Sequence, residues 1–373
     1  MTALFLIFHG FELYNGISKK IHYQVDALKQ CGVDAYLCYI EIDSNGYQRR
    51  IIDNQVLEDF EYGIKGKVKK WIDYSAILKY IEENNIDLIY IRSYHNANPF
   101  LIDFVKQTKR MNIKTVLEIP TYPYDKEYKH SPLSAKIQLF VDKIYRRRLA
   151  HNIFRIVTFS NYHNIFGAKT INISNGIDFD AIKIKQQTSK NDSVIHLISV
   201  AEIHSWHGFD RLLEGLAAYY KEDREIEVRY DIVGYGDKEE ISRLKNYVVD
   251  NKLDRYVTFH GPQFGEDLDR LFNEASLGIA SLGRHRSGIT HIKTLKNREY
   301  AARGIPFIYS EIDDDFENKP YIMKIEADET PISIPDIIQF YKKTKMISPI
   351  EIRNSITDLS WKKQMEKVVS VCQ

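Results

Sequence analysis

The stretch Phe8-His9-Gly10, followed by a loop ending Asn15-Gly16-Ile17-Ser18-Lys19-Lys20, leads into an apolar-periodic helix carrying Ile21, Val25 and Leu28. A helix N-terminus presents unpaired N–H groups at the positive end of a dipole, and Gly16 lacks the Cβ that would obstruct a diphosphate. An ordinary turn produces the same pattern, so Gly16 is a candidate phosphate contact rather than a motif. The run Asp313-Asp314-Asp315 offers neighbouring carboxylates of the kind that hold divalent ions. It reads more simply as an acidic loop after a strand, the scattered histidines have no ligand spacing, and no metal site is expected. Basic residues mix with aromatics in Lys65-Gly66-Lys67-Val68-Lys69-Lys70-Trp71 and Lys143-Ile144-Tyr145-Arg146-Arg147-Arg148. Such patches attract anionic lipid headgroups, and the alternative is a solvated helix face. Cys31, Cys38 and Cys372 are odd in number and lack metal spacing, which suits a reducing compartment.

These residues need elements to position them. A chain of 373 residues exceeds one ordinary core, so two domains are expected. Its 52 basic and 51 acidic residues leave a net charge of +1, which favours neither nucleic acid nor any acidic partner. Apolar runs such as Ala3 to Phe8 have strand length, and the start of the chain lacks the basic segment of an export signal, so the expected location is the cytoplasm. Strands are predicted near Ala3–Phe8, Asp34–Tyr39, Leu88–Ile91, Val116–Glu118 and Arg155–Phe159, with helices between them. After Asn175-Gly176-Ile177-Asp178 a polar stretch through Lys190-Asn191-Asp192-Ser193 reads as a linker. The alternation restarts at Val194–Ala201, Tyr230–Val233, Val257–His260, Leu277–Ala280 and Phe307–Tyr309, with helices beginning near His207, Lys238, Gly265 and Lys296. Alternating strands and helices imply parallel sheets covered on both faces, hence two doubly wound α/β domains. We assign residues 1–178 to the first domain, 194–355 to the second and 356–373 to a helix returning toward the first. Sites are expected at the C-terminal strand edges and in the cleft between domains.

The segment from Ser199 through Ala201-Glu202-Ile203 and Trp206-His207-Gly208-Phe209-Asp210 to Leu216 resembles family 4 glycosyltransferases, which have a strand, Gly-Arg-Leu, a loop and Lys-Gly-x-Asp before a helix. The resemblance continues, in order and spacing, through Ile232-Val233-Gly234-Tyr235-Gly236, Val257-Thr258-Phe259-His260-Gly261-Pro262 and Arg298-Glu299-Tyr300-Ala301-Ala302-Arg303-Gly304-Ile305-Pro306. Asn175-Gly176-Ile177-Asp178 and Leu359-Ser360-Trp361 extend it over nearly the whole chain. Variant spellings, among them Glu118-Ile119-Pro120-Thr121-Tyr122-Pro123-Tyr124, resemble a bacterial surface-polysaccharide branch. The resemblance implies the GT-B architecture and transfer, with retention, of a hexose-type sugar from a nucleotide diphosphate donor to an acceptor glycan, lipid-linked in that branch. It implies no cofactor besides that co-substrate, and it places Gly234, His260 and Gly261 on the donor side.

The chain departs from the family pattern in three respects. Relatives set an Arg and a Lys on the donor diphosphate where this chain has Glu202 and His207; a histidine binds phosphate as a cation or donates one hydrogen bond while neutral. The missing charge is expected from the cluster Arg284, Arg286, Lys293, Lys296 and Arg298, with Lys296 the first choice and Arg286 the second. Of the family's carboxylate pair only the later member, Glu299, is present, His291 filling the earlier slot. In relatives that later Glu holds the nucleotide ribose, and a spacing of three places Lys296 and Glu299 on one helical face. Finally, the loop Thr121–Tyr128 lacks the family's histidine; Tyr122 and its neighbouring tyrosines, with Asp125 or Glu127, are the groups left to meet sugar hydroxyls, and the equal alternative is a rigid loop built by its two prolines and repeated aromatics. A sugar-nucleotide epimerase of the same architecture and a non-catalytic nucleotide-binding protein are the competing readings.

Overall fold

The computed structural model describes residues 1–11, 16–60, 63–129, 131–186 and 193–373. Asn15, the expected linker residues Lys190, Asn191 and Asp192, and the side chains of Lys65 and Lys67 lie outside the described residues. The chain divides into two compact units, Met1–Gly176 with Trp361–Gln373, and Ile177–Ser360.

The first unit opens with β1 (Thr2–Leu6), α1 (Gly16–Gln30), β2 (Asp34–Ile42), β3 (Gln48–Ile52), β4 (Gln55–Asp59), α2 (Gly63–Ile72) and α3 (Ser75–Glu83). It continues through β5 (Leu88–Arg92), α4 (Pro99–Arg110), β6 (Lys114–Ile119), α5 (Leu133–Asn152), β7 (Arg155–Thr158), β8 (Asn164–Ile165) and β9 (Ala168–Asn172). Its sheet runs β4-β3-β2-β1-β5-β6-β7-β9-β8, parallel from β2 to β9. The central strands are buried on both faces, which is why they are continuous apolar runs rather than alternating ones. The antiparallel edge of β3 and β4 was not expected, because two arginines break its apolar pattern. Arg50 is nevertheless buried there, its guanidinium held by Glu58 and by the carbonyls of Lys70 and Asp73.

The second unit contains β10 (Val194–Ile203), α6 (Phe209–Tyr219), β11 (Glu227–Gly236), α7 (Lys238–Asp250), β12 (Val257–Gly261) and α8 (Gly265–Glu274). Then follow β13 (Leu277–Ile279), α9 (Leu295–Arg303), β14 (Phe307–Tyr309), β15 (Ile322–Lys324), α10 (Ile334–Thr344) and α11 (Pro349–Asn354). Its parallel sheet runs β12-β11-β10-β13-β14-β15. The final helix, α12 (Trp361–Cys372), packs on α1 in the first unit, where Trp361, Met365 and Val368 meet Ile21, Val25 and Leu28.

Both strand orders reverse direction once. In the first sheet the chain leaves β1 toward β2 and returns on its other side as β5; in the second it leaves β10 toward β11 and returns as β13. Connections diverge at such a switch point, opening a crevice beyond the carboxyl ends of the two strands, where doubly wound folds bind ligands. No helix among the described residues is long and apolar enough to cross a membrane.

Candidate functional site

At the switch point of the second unit, β10 ends in a short 3-10 turn, Ser205–His207, ahead of α6. The backbone N–H of His204 donates to His207 Nδ1 at 3.1 Å. That bond makes Nδ1 the acceptor and leaves the ring proton on Nε2. His207 is buried, and burial followed by the charges of Lys296 and Arg284 holds its pKa well below the ordinary imidazole value. The side chain is therefore a neutral hydrogen-bond donor, not a cation. Its carbonyl accepts from Leu282 N–H at 2.8 Å, tying the turn to the loop after β13. Gly208 adopts φ +65°, and a Cβ there would stand 2.5 Å from the backbone nitrogen of Gly283, so the two loops meet backbone to backbone.

The basic cluster separates by partner. Arg298 is fully buried between Asp313 (2.6 and 3.1 Å) and Asp315, so two of the three consecutive aspartates enclose an arginine. His291 faces the third, Asp314, at 3.2 Å. Arg286 Nη1 donates to the Ser205 carbonyl (2.8 Å) and to Asp210 Oδ1 (2.9 Å), while its Nε and Nη2 hold Glu329. That guanidinium already braces the turn against α6. Arg284 lies over the Trp206 ring at 5.8 Å.

Lys296 differs from all of these. It sits in the first turn of α9, whose N-cap, Thr294, accepts from Asn297 N–H at 3.4 Å. Its stem reaches the surface, but its ammonium is buried and has no hydrogen-bond partner among the described residues. Burial, then Arg284, pushes its pKa down against the opposing pull of Glu311. Glu311, two residues beyond β14, is buried as well. Its Oε1 accepts from Asn297 Nδ2 at 3.3 Å, its Oε2 has no hydrogen-bond partner among the described residues, and burial pushes its carboxyl up. An unpaired buried charge costs several kcal/mol, and native proteins carry few, so a pair of half-satisfied groups at a switch point calls for a functional reason.

Glu299, one turn further along α9, is half-buried; its Oε1 accepts from Arg303 Nε at 3.1 Å, and Oε2 faces no protein donor among the described residues. The structure thus brings His207 and Lys296 together with Arg284 and Glu311, while Arg286 holds the Ser205 carbonyl, Asp210 and Glu329. His260 lies on β12 with Nε2 2.6 Å from Asp231 Oδ1, and Gly261, at φ +66°, has open space around its Cα. Gly234 has a packing reason: a Cβ would stand 1.8 Å from the Ala201 carbonyl oxygen on β10. No hydrogen bond, ion pair or ring contact among the described residues links His260, Gly261 or Gly234 to Lys296.

Gly16 and Tyr122 belong to the first unit. Gly16 is the exposed first residue of α1. Tyr122 packs edge-on against Tyr162 (4.9 Å) and Phe166 (5.4 Å) after β6. Asp125 is bound by Arg146 at 2.7 Å, and Tyr124 donates to Asp142 at 2.7 Å. His95, beyond β5 at this unit's own switch point, stacks on Tyr124 at 3.7 Å with Nδ1 2.6 Å from Tyr128 Oη. Burial takes its pKa down to about 4, and its Nε2 is buried without a hydrogen-bond partner among the described residues. His95 and Glu311 belong to no motif in the sequence; each follows a strand by two or three residues, and that is their only signal.

No family model matches the chain, and no curated protein matches it in sequence. Solved structures do match. A glycosyltransferase from Rickettsia africae aligns with TM-score 0.64 at 15% identity, covering 100% of this chain and 97% of that one. WaaG, a glycosyltransferase involved in lipopolysaccharide biosynthesis, aligns with TM-score 0.61 at 11% identity over 100% of both chains. HepE from Anabaena, in complex with UDP, aligns with TM-score 0.60 at 14% identity, covering 99% of this chain and 100% of that one. At these identities the likeness carries the fold, which is GT-B.

Proposed function

We propose that this chain is a glycosyltransferase that takes a hexose-type sugar from a nucleotide diphosphate donor bound at the second unit's switch point. The observation that carries the reading is the Lys296 ammonium, buried beside neutral His207 and without a hydrogen-bond partner among the described residues. A diphosphate supplies the hydrogen-bond acceptor this ammonium lacks, and His207 Nε2–H donates to it without adding charge. Departure of the diphosphate develops negative charge, and a preorganised donor aimed at it lowers the barrier by about 3–4 kcal/mol, judged from oxyanion sites. Glu299 accepts from the ribose hydroxyls through Oε2. Gly16 keeps its proposed phosphate contact at the start of α1, and Gly234, His260 and Gly261 stay on the proposed donor side, with Arg286 as the brace of the His207 turn. Transfer needs no metal, so a chelator leaves it unchanged.

The acceptor is a glycan, lipid-linked and belonging to surface polysaccharide, met by Tyr122 and the tyrosines around it. Transfer proceeds with retention, by attack on the face the leaving phosphate vacates. The protein acts in the cytoplasm and touches the inner face of the membrane peripherally, with no role for nucleic acid. UDP is the first nucleotide to test, because HepE is described in complex with it. In a thermal-shift screen of nucleoside diphosphates, a ligand at one hundred times its Kd adds about 2.7 kcal/mol to native stability. A screen in which no nucleoside diphosphate raises Tm refutes the proposal.

A further inference from the structure

Helix α5 is apolar on two opposite faces. One face, with Leu139, Leu149 and Ala150, is buried in the core of the first unit. The other consists of Leu133, Ile137, Phe140 and Ile144, which are 73, 56, 66 and 53% exposed. Intervals of four, three and four residues align these side chains in one stripe along the helix. A helix packed by one face ordinarily shows water a polar second face, so a continuous apolar stripe there marks a contact surface.

Charge decides what the stripe meets. Exposed Lys136, Arg147 and Arg148 flank it, and Lys143 joins them with its Nζ 3.2 Å from Asp125. The only acid in α5, Asp142, is buried against Tyr124 and the Ala97 N–H. The exposed face therefore presents cations and no anions. A second copy of the helix would oppose like charges, whereas an anionic surface complements every one of them.

The geometry points to docking of α5 on an anionic lipid bilayer, with its axis in the membrane plane and the stripe of Leu133, Ile137, Phe140 and Ile144 at the acyl boundary. Lys136, Arg147 and Arg148 extend their apolar stems alongside and carry their charges to the headgroup phosphates. This docking rests on the peripheral membrane contact proposed above and gives it a surface, while its test is separable from the transferase reading, since vesicle binding needs no substrate.

The test is flotation of the full chain with vesicles of phosphatidylcholine, alone or with phosphatidylglycerol. The chain is expected to float with the anionic vesicles and to be released by salt, which screens the flanking charges. The double substitution Ile137→Ser/Phe140→Ser weakens that binding by about tenfold or more, from the apolar area it withdraws. Because both residues are exposed, the melting temperature holds. Lys136→Gln/Arg147→Gln/Arg148→Gln removes the preference for phosphatidylglycerol and leaves the stripe intact. A wild-type chain that ignores anionic vesicles, or a double variant that binds them equally well, overturns the inference. So does sedimentation showing a dimer that the double substitution abolishes, which gives the stripe to self-association.

Discussion

Replacing Lys296 by methionine separates a functional lysine from a structural one. The methionine keeps the stem and removes the ammonium, which in the free protein is buried with no hydrogen-bond partner among the described residues. Leaving such a group unsatisfied costs about 1–3 kcal/mol, and more when it is charged. The fold therefore gains stability when the ammonium goes, and for a unit of this size each kcal/mol raises Tm by about 2–4 °C. Donor binding moves the other way. A charge-assisted hydrogen bond to the diphosphate contributes about 1.5–3 kcal/mol, so Kd for UDP rises roughly 10- to 150-fold while binding of uridine is unaffected. Scanning calorimetry and titration calorimetry on the same preparation read both effects. Turnover falls further than affinity, because charge on the diphosphate grows as the glycosidic bond breaks. A lysine that merely braces α9 gives the opposite pattern, a lower Tm with UDP affinity intact, and that outcome refutes the assignment.

The pH dependence follows from the same group. The folded-state pKa of Lys296 is depressed, so above it the free site is uncharged while an anionic ligand restores the proton. UDP affinity is expected to fall as pH rises through that depressed value, with proton uptake on binding seen as a buffer-dependent enthalpy; a pH-independent Kd contradicts it. The stability sign is the reverse, because the unfolded chain binds more protons there, and this lysine's destabilising contribution fades as pH climbs toward its ordinary value of about 10.4. Glu299→Gln removes the charge facing the ribose and weakens both UDP and uridine by about 1.5–3 kcal/mol, where Lys296→Met spares uridine; unchanged uridine binding in a folded variant rules out the ribose role. Arg286→Ala cuts the brace to Asp210, Glu329 and the Ser205 carbonyl and lowers Tm, in contrast to Lys296→Met. A melting temperature at or above wild type shows that the brace contributes nothing.

The central strands were legible because a strand buried on both faces is an uninterrupted apolar run, as in Leu88–Arg92. β3 was not, since its burial of Arg50 depends on Glu58 and on backbone carbonyls contributed by α2 and the residue after it. Spacing pointed to His207, Lys296 and Glu299 and put Lys296 first among the cations, but it could not show which of them already have acidic partners. Arg298 and Arg286 differ from Lys296 through Asp313, Asp315, Asp210 and Glu329, partners that only folding brings near. Glu311 and His95 acquire meaning from strand order, which places β13 beside β10 and β5 beside β1; local sequence does not encode that order.

The most direct test incubates the full chain with UDP-sugars labelled in the sugar, with and without a lipid-linked glycan acceptor, and follows both label and nucleotide. The expected result is acceptor-dependent release of UDP with the label on the acceptor, abolished or greatly slowed in Lys296→Met. Label that stays on the nucleotide as an isomerised sugar, or binding of UDP with no release under any acceptor, contradicts the transferase account.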